Sequence, residues 1–291
     1  MHLISEFEDL STETGIALPP LLRSLIFSGN TNYFPGWYSL WRDRSLDRVV
    51  PFLSWYDYEW IDAATSRNEI ATWLNPAAQH GKAFLPFAQS GAGDIYCLMT
   101  LEDGQTGVAL IWQYNESSQI DYRSFNDFVC IRYLETFADL SHLSDDFPDE
   151  ISEIISADVY SVSRFMDEQK SGFLRGFCQR RISPHEVRYG KNGHTQTVPA
   201  LISQSELDFH TAQFPAPSPK PFPVVPRWEL SQFAPINTKT AVGSDWRSKA
   251  LDPNTKLQAI RAYQQTFQCT LIVAKKAVDE FIIDAGNQAS D

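Results

Sequence analysis

Between Ala83 and Tyr114 short apolar runs alternate with glycine-bearing turns, and this block constrains the fold more than any other part of the chain. Residues 84–88 read as a strand, Gly91-Ala92-Gly93-Asp94 as a turn and residues 95–99 as the next strand. Glu102-Asp103-Gly104 then reads as a hairpin turn into a third strand at 107–114. Connections this short cannot hold a crossover, so the strands must pair antiparallel. Tyr96, Cys97 and Leu98 alternate faces, which predicts one packed face and one wet face. Helical spacing brackets the block. Leu3, Phe7 and Leu10 recur ahead of a stop at Gly15, and Leu21, Leu22, Leu25 and Ile26 follow Pro19-Pro20. Ser124 reads as the N-cap of a helix carrying Phe125, Phe128, Val129, Arg132 and Tyr133. The expected class is therefore α+β, an antiparallel sheet with flanking helices.

Downstream the pattern weakens. Ile151, Ile154, Ile155, Val159 and Val162 give mixed helical spacing, and the rest of 141–214 shows no clear period. Six of the twelve residues from 215 to 226 are proline, which predicts an extended, semi-rigid spacer. Beyond it, Leu257, Ile260 and Phe267 mark one helix face and Leu271, Ala274, Val278, Phe281 and Ile282 the next. This is an αα hairpin by pattern. The expected order of parts is a domain at 1–140, a partly helical extension at 141–214, a Pro-rich linker at 215–237 and a helical hairpin at 238–291.

Charge narrows the partners. The chain carries 24 basic and 36 acidic residues, and residues 1–150 alone hold 8 against 22, a balance of −14. Such a surface argues against gripping nucleic acid or anionic lipid, and for a basic protein partner. The chain offers no run of 18 apolar residues and no signal-peptide pattern behind Met1. Its four cysteines form no CxxC pair, so a reduced, cytoplasmic, soluble protein is expected. The six histidines show no metal-ligand spacing, and no nucleophile elbow or phosphate loop occurs. Acidic pairs such as Asp145-Asp146 and Glu150/Glu153 read as solvated helix surface, and Arg175, Arg180, Arg181 and Arg188 as a solvated basic face. No catalytic residue, metal or cofactor is expected.

Taken together, Glu13-Thr14-Gly15-Ile16-Ala17-Leu18-Pro19-Pro20, Arg23, Leu85-Pro86-Phe87-Ala88 and Gly93-Asp94-Ile95-Tyr96-Cys97-Leu98 resemble the SUKH superfamily (SMI1/KNR4-like), with Tyr114 and the helix after Ser124 in the same order. The resemblance covers about residues 1–137, with an expanded stretch between Trp37 and Trp73. It implies an α+β fold and a non-enzymatic protein. Bacterial members are mostly immunity proteins that bind and silence toxins delivered by contact-dependent, Rhs-type or type VI systems; eukaryotic relatives are scaffolds in cell-wall signalling. The implied partner is the C-terminal domain of a cognate toxin, of nuclease, deaminase or ADP-ribosyltransferase class. The tail, from Lys256-Leu257-Gln258-Ala259-Ile260-Arg261 to Val278-Asp279, is similar to the hairpin of the ribosomal stalk protein's C-terminal domain. It departs at Gln264, Gln268 and Thr270. By that resemblance Lys256, Ile260, Arg261 and Lys275 would form a face for a translational GTPase; the alternative is a plain helix-packing unit.

An inhibitor of this kind needs charge for fast association and buried aromatic anchors for slow release. Five of eight tryptophans fall between 37 and 73, and Trp55-Tyr56-Asp57-Tyr58-Glu59-Trp60-Ile61-Asp62 interleaves aromatics with acids. With Trp37 and Trp41, the residues Trp55, Tyr56, Asp57, Tyr58, Glu59, Trp60 and Asp62 form the candidate toxin-binding surface. The competing reading makes the same rings core filling.

Overall fold

The computed structural model describes residues 2–33, 37–189, 193–215, 220–233 and 246–250, with residues 259, 263, 278 and 281. Helix α1 (His2–Thr14) buries Phe7 and Leu10 and ends at Gly15, whose φ of +70° suits only glycine without strain. Pro20 opens α2 (Pro20–Phe27), where a missing N–H costs nothing, and Leu21, Leu22, Leu25 and Ile26 are all buried. There follow α3 (Trp37–Arg44), β1 (Glu59–Trp60), α4 (Ala63–Thr72) and the meander β2 (Leu85–Gln89), β3 (Ile95–Thr100), β4 (Thr106–Ile111). The four strands lie in chain order, every neighbour antiparallel. The α+β arrangement expected from the strand-and-turn block is the one observed. After β5 (Ser117–Ser118), Ser124 caps α5 (Phe125–Ala138) by accepting from the Asp127 N–H at 3.1 Å.

The stretch that lacked a period holds α6 (Ser141–Asp146), α7 (Ile151–Ser163), α8 (Glu168–Cys178), the ribbon β6 (Ser183–Tyr189) and β7 (His194–Ala200), and α9 (Gln204–Thr211). Of these, α8, β7 and α9 pack directly on α5, and α7 reaches it through Asp158 and Tyr133. Phe137 meets Phe177 of α8 with ring centroids 5.5 Å apart, and the Leu201 N–H donates to the Phe137 carbonyl at 2.8 Å. Helix α5 is consequently buried nearly all round, with the sheet on one side and the extension on the other. Then come β8 (Phe222–Pro223), α10 (Arg227–Phe233) and α11 (Trp246–Ala250). Residues Met1–Phe233 form one compact unit and Ala234–Asp291 a second. Within the second unit, Trp246 packs edge-on against Tyr263 and Phe281, at 4.8 and 5.0 Å, over buried Ala259 and Val278.

Both faces of the sheet are dry, which corrects the expectation of one wet face. Leu85, Phe87, Tyr96, Leu98 and Val108 face α5 and the main core. Ile95, Cys97, Met99, Ala109 and Ile111 face a second, smaller core closed by Trp73, Phe84, Phe222 and Val224. The cover comes from the segment expected as a spacer. Strand β8 pairs antiparallel with β5; Val224 N–H donates to the Glu116 carbonyl, and the Val225 carbonyl accepts from Trp73 Nε1 at 2.8 Å. Pro221, Pro223 and Pro226 offer no donor, but Phe222, Val224 and Val225 supply the pairing and the apolar side chains. Proline in so short an edge strand leaves no ladder bond unmade. Residues 220–226 are thus a fixed strap.

An aromatic cleft as the candidate functional site

The chain between α3 and β1 folds back on itself through two unusual backbone conformations. Phe52 sits at φ +69° and Asp57 at +55°, both positive in residues that carry a Cβ. A bulky side chain at positive φ is rare and must be held there by its surroundings. The group that holds Phe52 is Asp158, on α7 and fully buried. Its carboxylate accepts from Phe52 N–H at 2.7 Å, Ser54 N–H at 2.9 Å, Ser54 Oγ at 2.6 Å and the Tyr133 hydroxyl at 3.1 Å. Burial pushes the Asp158 carboxyl up to about 6 against the pull of these four donors. His142 Nε2 lies 2.8 Å from the Ser54 carbonyl, and Trp60 Nε1 donates to Pro51 O at 2.8 Å. The loop is pinned from three elements.

Its rings stack into a tight group. Phe52 and Trp55 lie parallel with centroids 3.8 Å apart, and Trp55 meets Tyr58, Phe128 and Tyr133 edge-on at 5.2–5.3 Å. Outside this group opens a cleft of about 390 Å³, walled by Tyr33, Trp37, Trp41, Trp55, Tyr56 and Tyr58, with carboxylates of Asp57, Glu59 and Asp146 around it. Asp57 accepts from the Gly91 N–H at 2.6 Å, and Glu59 from Gln89 Nε2 at 3.1 Å. Arg42 pairs with Asp146 and lies 4.6 Å over the Trp41 ring. Burial, with Tyr33 and Tyr96 nearby, holds the Tyr58 hydroxyl well above the usual phenol range. Among the described residues neither Tyr58 Oη nor Trp55 Nε1 meets a hydrogen-bond partner, although both atoms are buried.

The structure therefore divides the candidate surface. Trp37, Trp41, Trp55, Tyr56, Asp57, Tyr58 and Glu59 line the cleft. Trp37 and Trp55 are at the same time core residues, 8% and 4% exposed, whereas Tyr56 is 69% exposed. Trp60 turns into the main core beside Phe52, and Asp62 caps α4 by accepting from Thr65 N–H at 2.7 Å; neither lines the cleft. The reason is the pair of positive-φ turns, which breaks the alternation that eight consecutive residues would keep in a strand. His142 and Asp146, both on α6, line the cleft too, and sequence reasoning missed them. By its local sequence Asp146 is solvated helix surface; its pairing with Arg42 spans 104 residues and leaves no local trace. Lys256, Ile260, Arg261 and Lys275 lie outside the described residues.

Chemically the cleft offers ring faces, carboxylates and buried donors. Among the described residues no group of three His, Cys, Asp or Glu side chains is placed to hold a metal ion, and no helix is long and apolar enough to cross a membrane. Residues 4–130 match the model of the SMI1 / KNR4 family (SUKH-1). No curated protein and no solved structure matches the chain.

Proposed function

Residues 4–130 belong to the SUKH superfamily, and on that premise we propose that this chain is a bacterial immunity protein. It binds the C-terminal domain of a cognate secreted toxin of Rhs, type VI or contact-dependent origin and neutralises it by occlusion, without enzymatic chemistry of its own. The observation that carries this reading is the aromatic cleft ringed by carboxylates on the half of the chain whose charge balance is −14. Complementary charge raises association toward about 10⁸–10⁹ M⁻¹s⁻¹ at low salt, and aromatic anchors slow release. A basic target suits such a face, and a nuclease, which must itself hold nucleic acid, is the toxin class favoured by charge.

The test is co-expression in a bacterium with each toxin C-terminal domain encoded directly upstream of this gene, scoring growth. The expected result is rescue against one toxin and a complex that survives co-purification, with an association rate that falls as salt rises. Rescue against none of them would give place to the scaffold reading suggested by eukaryotic SMI1/KNR4 relatives.

A further inference from the structure

Two ends of the cleft carry rings and carboxylates, and among the described residues only one of them holds an ion pair. At the α3 end, Arg42 lies over the face of Trp41 and pairs with Asp146, so ring, guanidinium and carboxylate are all supplied by the chain itself. At the other end stand the Tyr56 ring, 69% exposed, and the carboxylates of Asp57 and Glu59. Their partners are the neutral amides of Gly91 and Gln89. Arg132 stands beside this end, half-buried, its guanidinium 5.6 Å over the Trp55 ring, paired with Glu135 at 2.9 Å and bonded to the Tyr56 carbonyl at 3.1 Å. Among the described residues no cation pairs with Asp57 or Glu59 as Arg42 pairs with Asp146 at the α3 end.

We propose that this end of the cleft receives an arginine or lysine side chain of the partner, seated on Tyr56 between Asp57 and Glu59. Charge complementarity selects it: two carboxylates without an ion pair among the described residues repel an acidic segment and leave a neutral one without gain. A cation over a tyrosine face within about 6 Å is attracted by the ring quadrupole, the more so once water is displaced. Trp55, 4% exposed and lining the same cleft, carries an N–H without an acceptor among the described residues. The backbone carbonyl of an inserted segment is the group that would relieve it, after the side-chain adjustments common at interfaces. Gly91 keeps the seat shaped. A Cβ there would stand 2.8 Å from Asp57 Oδ1, so the carboxylate holds its place only because residue 91 has no side chain.

The proposal names the contact site within the immunity reading and rests on it. The first experiment needs no toxin: the full chain is titrated with N-acetyl-arginine methylamide, its lysine counterpart and the uncharged citrulline counterpart, following the indole N–H resonances. The expected result is saturable binding of the two cationic probes, about tenfold tighter than citrulline, weakened about threefold by each of Asp57→Asn and Glu59→Gln with unchanged melting. Equal response to citrulline, no saturable response, or full binding by the double variant would overturn it. The second arm scores the double variant against a neutralised toxin. Lost rescue supports the seat; retained rescue overturns it and leaves the immunity reading standing. Probe binding by a chain that rescues against no toxin would remove the immunity reading instead.

Discussion

The two faces of the sheet reach the same dryness by different routes. The inner face is covered by α5, which follows the sheet directly and brings Phe125, Phe128 and Tyr133 in one helical period. The outer face is covered from far away, by Phe222 and Val224 on a strap held to residues 116–118 and to Gln79. A cover that is local in sequence forms with its own helix. A distant one closes only when the whole unit has folded, so it should be the first to open.

Truncating a ring on each side tests that difference. Phe128→Ala, at full burial among six aromatic neighbours, is expected to cost about 4–5 kcal/mol by chemical denaturation. Phe222→Ala is expected to cost about 3 kcal/mol, because the strap can settle into the gap. Amide exchange should then speed up at β5 and β8 before β3. Equal protection losses on the two faces would show that they open as one.

A third perturbation acts on the loop that walls the cleft. The folded Asp158 carboxyl titrates near 6, above the unfolded value of about 3.9. The stability this group contributes is therefore complete below the unfolded value and is lost as pH rises through 6. Stability should fall by about 2–3 kcal/mol from pH 4 to pH 7 relative to Asp158→Asn, measured as paired denaturation curves. A difference between wild type and variant that is flat in pH would show that the four donors keep the carboxylate charged throughout.

Smaller effects are expected inside the cleft. Tyr58→Phe removes a buried hydroxyl that meets no partner among the described residues and should raise stability by about 1 kcal/mol. A loss instead would mean that the hydroxyl is satisfied. Gly91→Ala should change stability by about 0.5 kcal/mol at most, since the Asp57 side chain can swing away. It should nonetheless weaken the arginine probe as Asp57→Asn does.

What could be read from sequence follows the same divide between near and far. Gly15, the turn at Gly93 and Ser124 act on their immediate neighbours, so the helices, the meander and the family resemblance were legible from local pattern. The strap was not, because prolines announce an extended chain but not that Phe222 and Val224 among them are buried. Nor were the ribbon and α8: Phe177 and Leu201 reach the α5 core singly, and the ribbon buries Val187, Val198 and Ala200 in a small cluster of its own, without a repeating face. Of the cleft, the segment from Trp55 to Glu59 was visible as aromatics among acids. Its division into core and surface was not, since it depends on backbone turns at Phe52 and Asp57 that no spacing encodes.

The fastening of that loop has a consequence for anyone wishing to move the recognition surface elsewhere. The family match ends at residue 130, yet Asp158, the acceptor for the Phe52 and Ser54 amides, lies 28 residues beyond it. A graft cut at the family boundary would carry every Trp and Tyr ring of the cleft, lose His142 and Asp146, and leave two peptide N–H groups without their buried acceptor. The portable unit is defined by where the last buried acceptor sits, and here that boundary runs through α7.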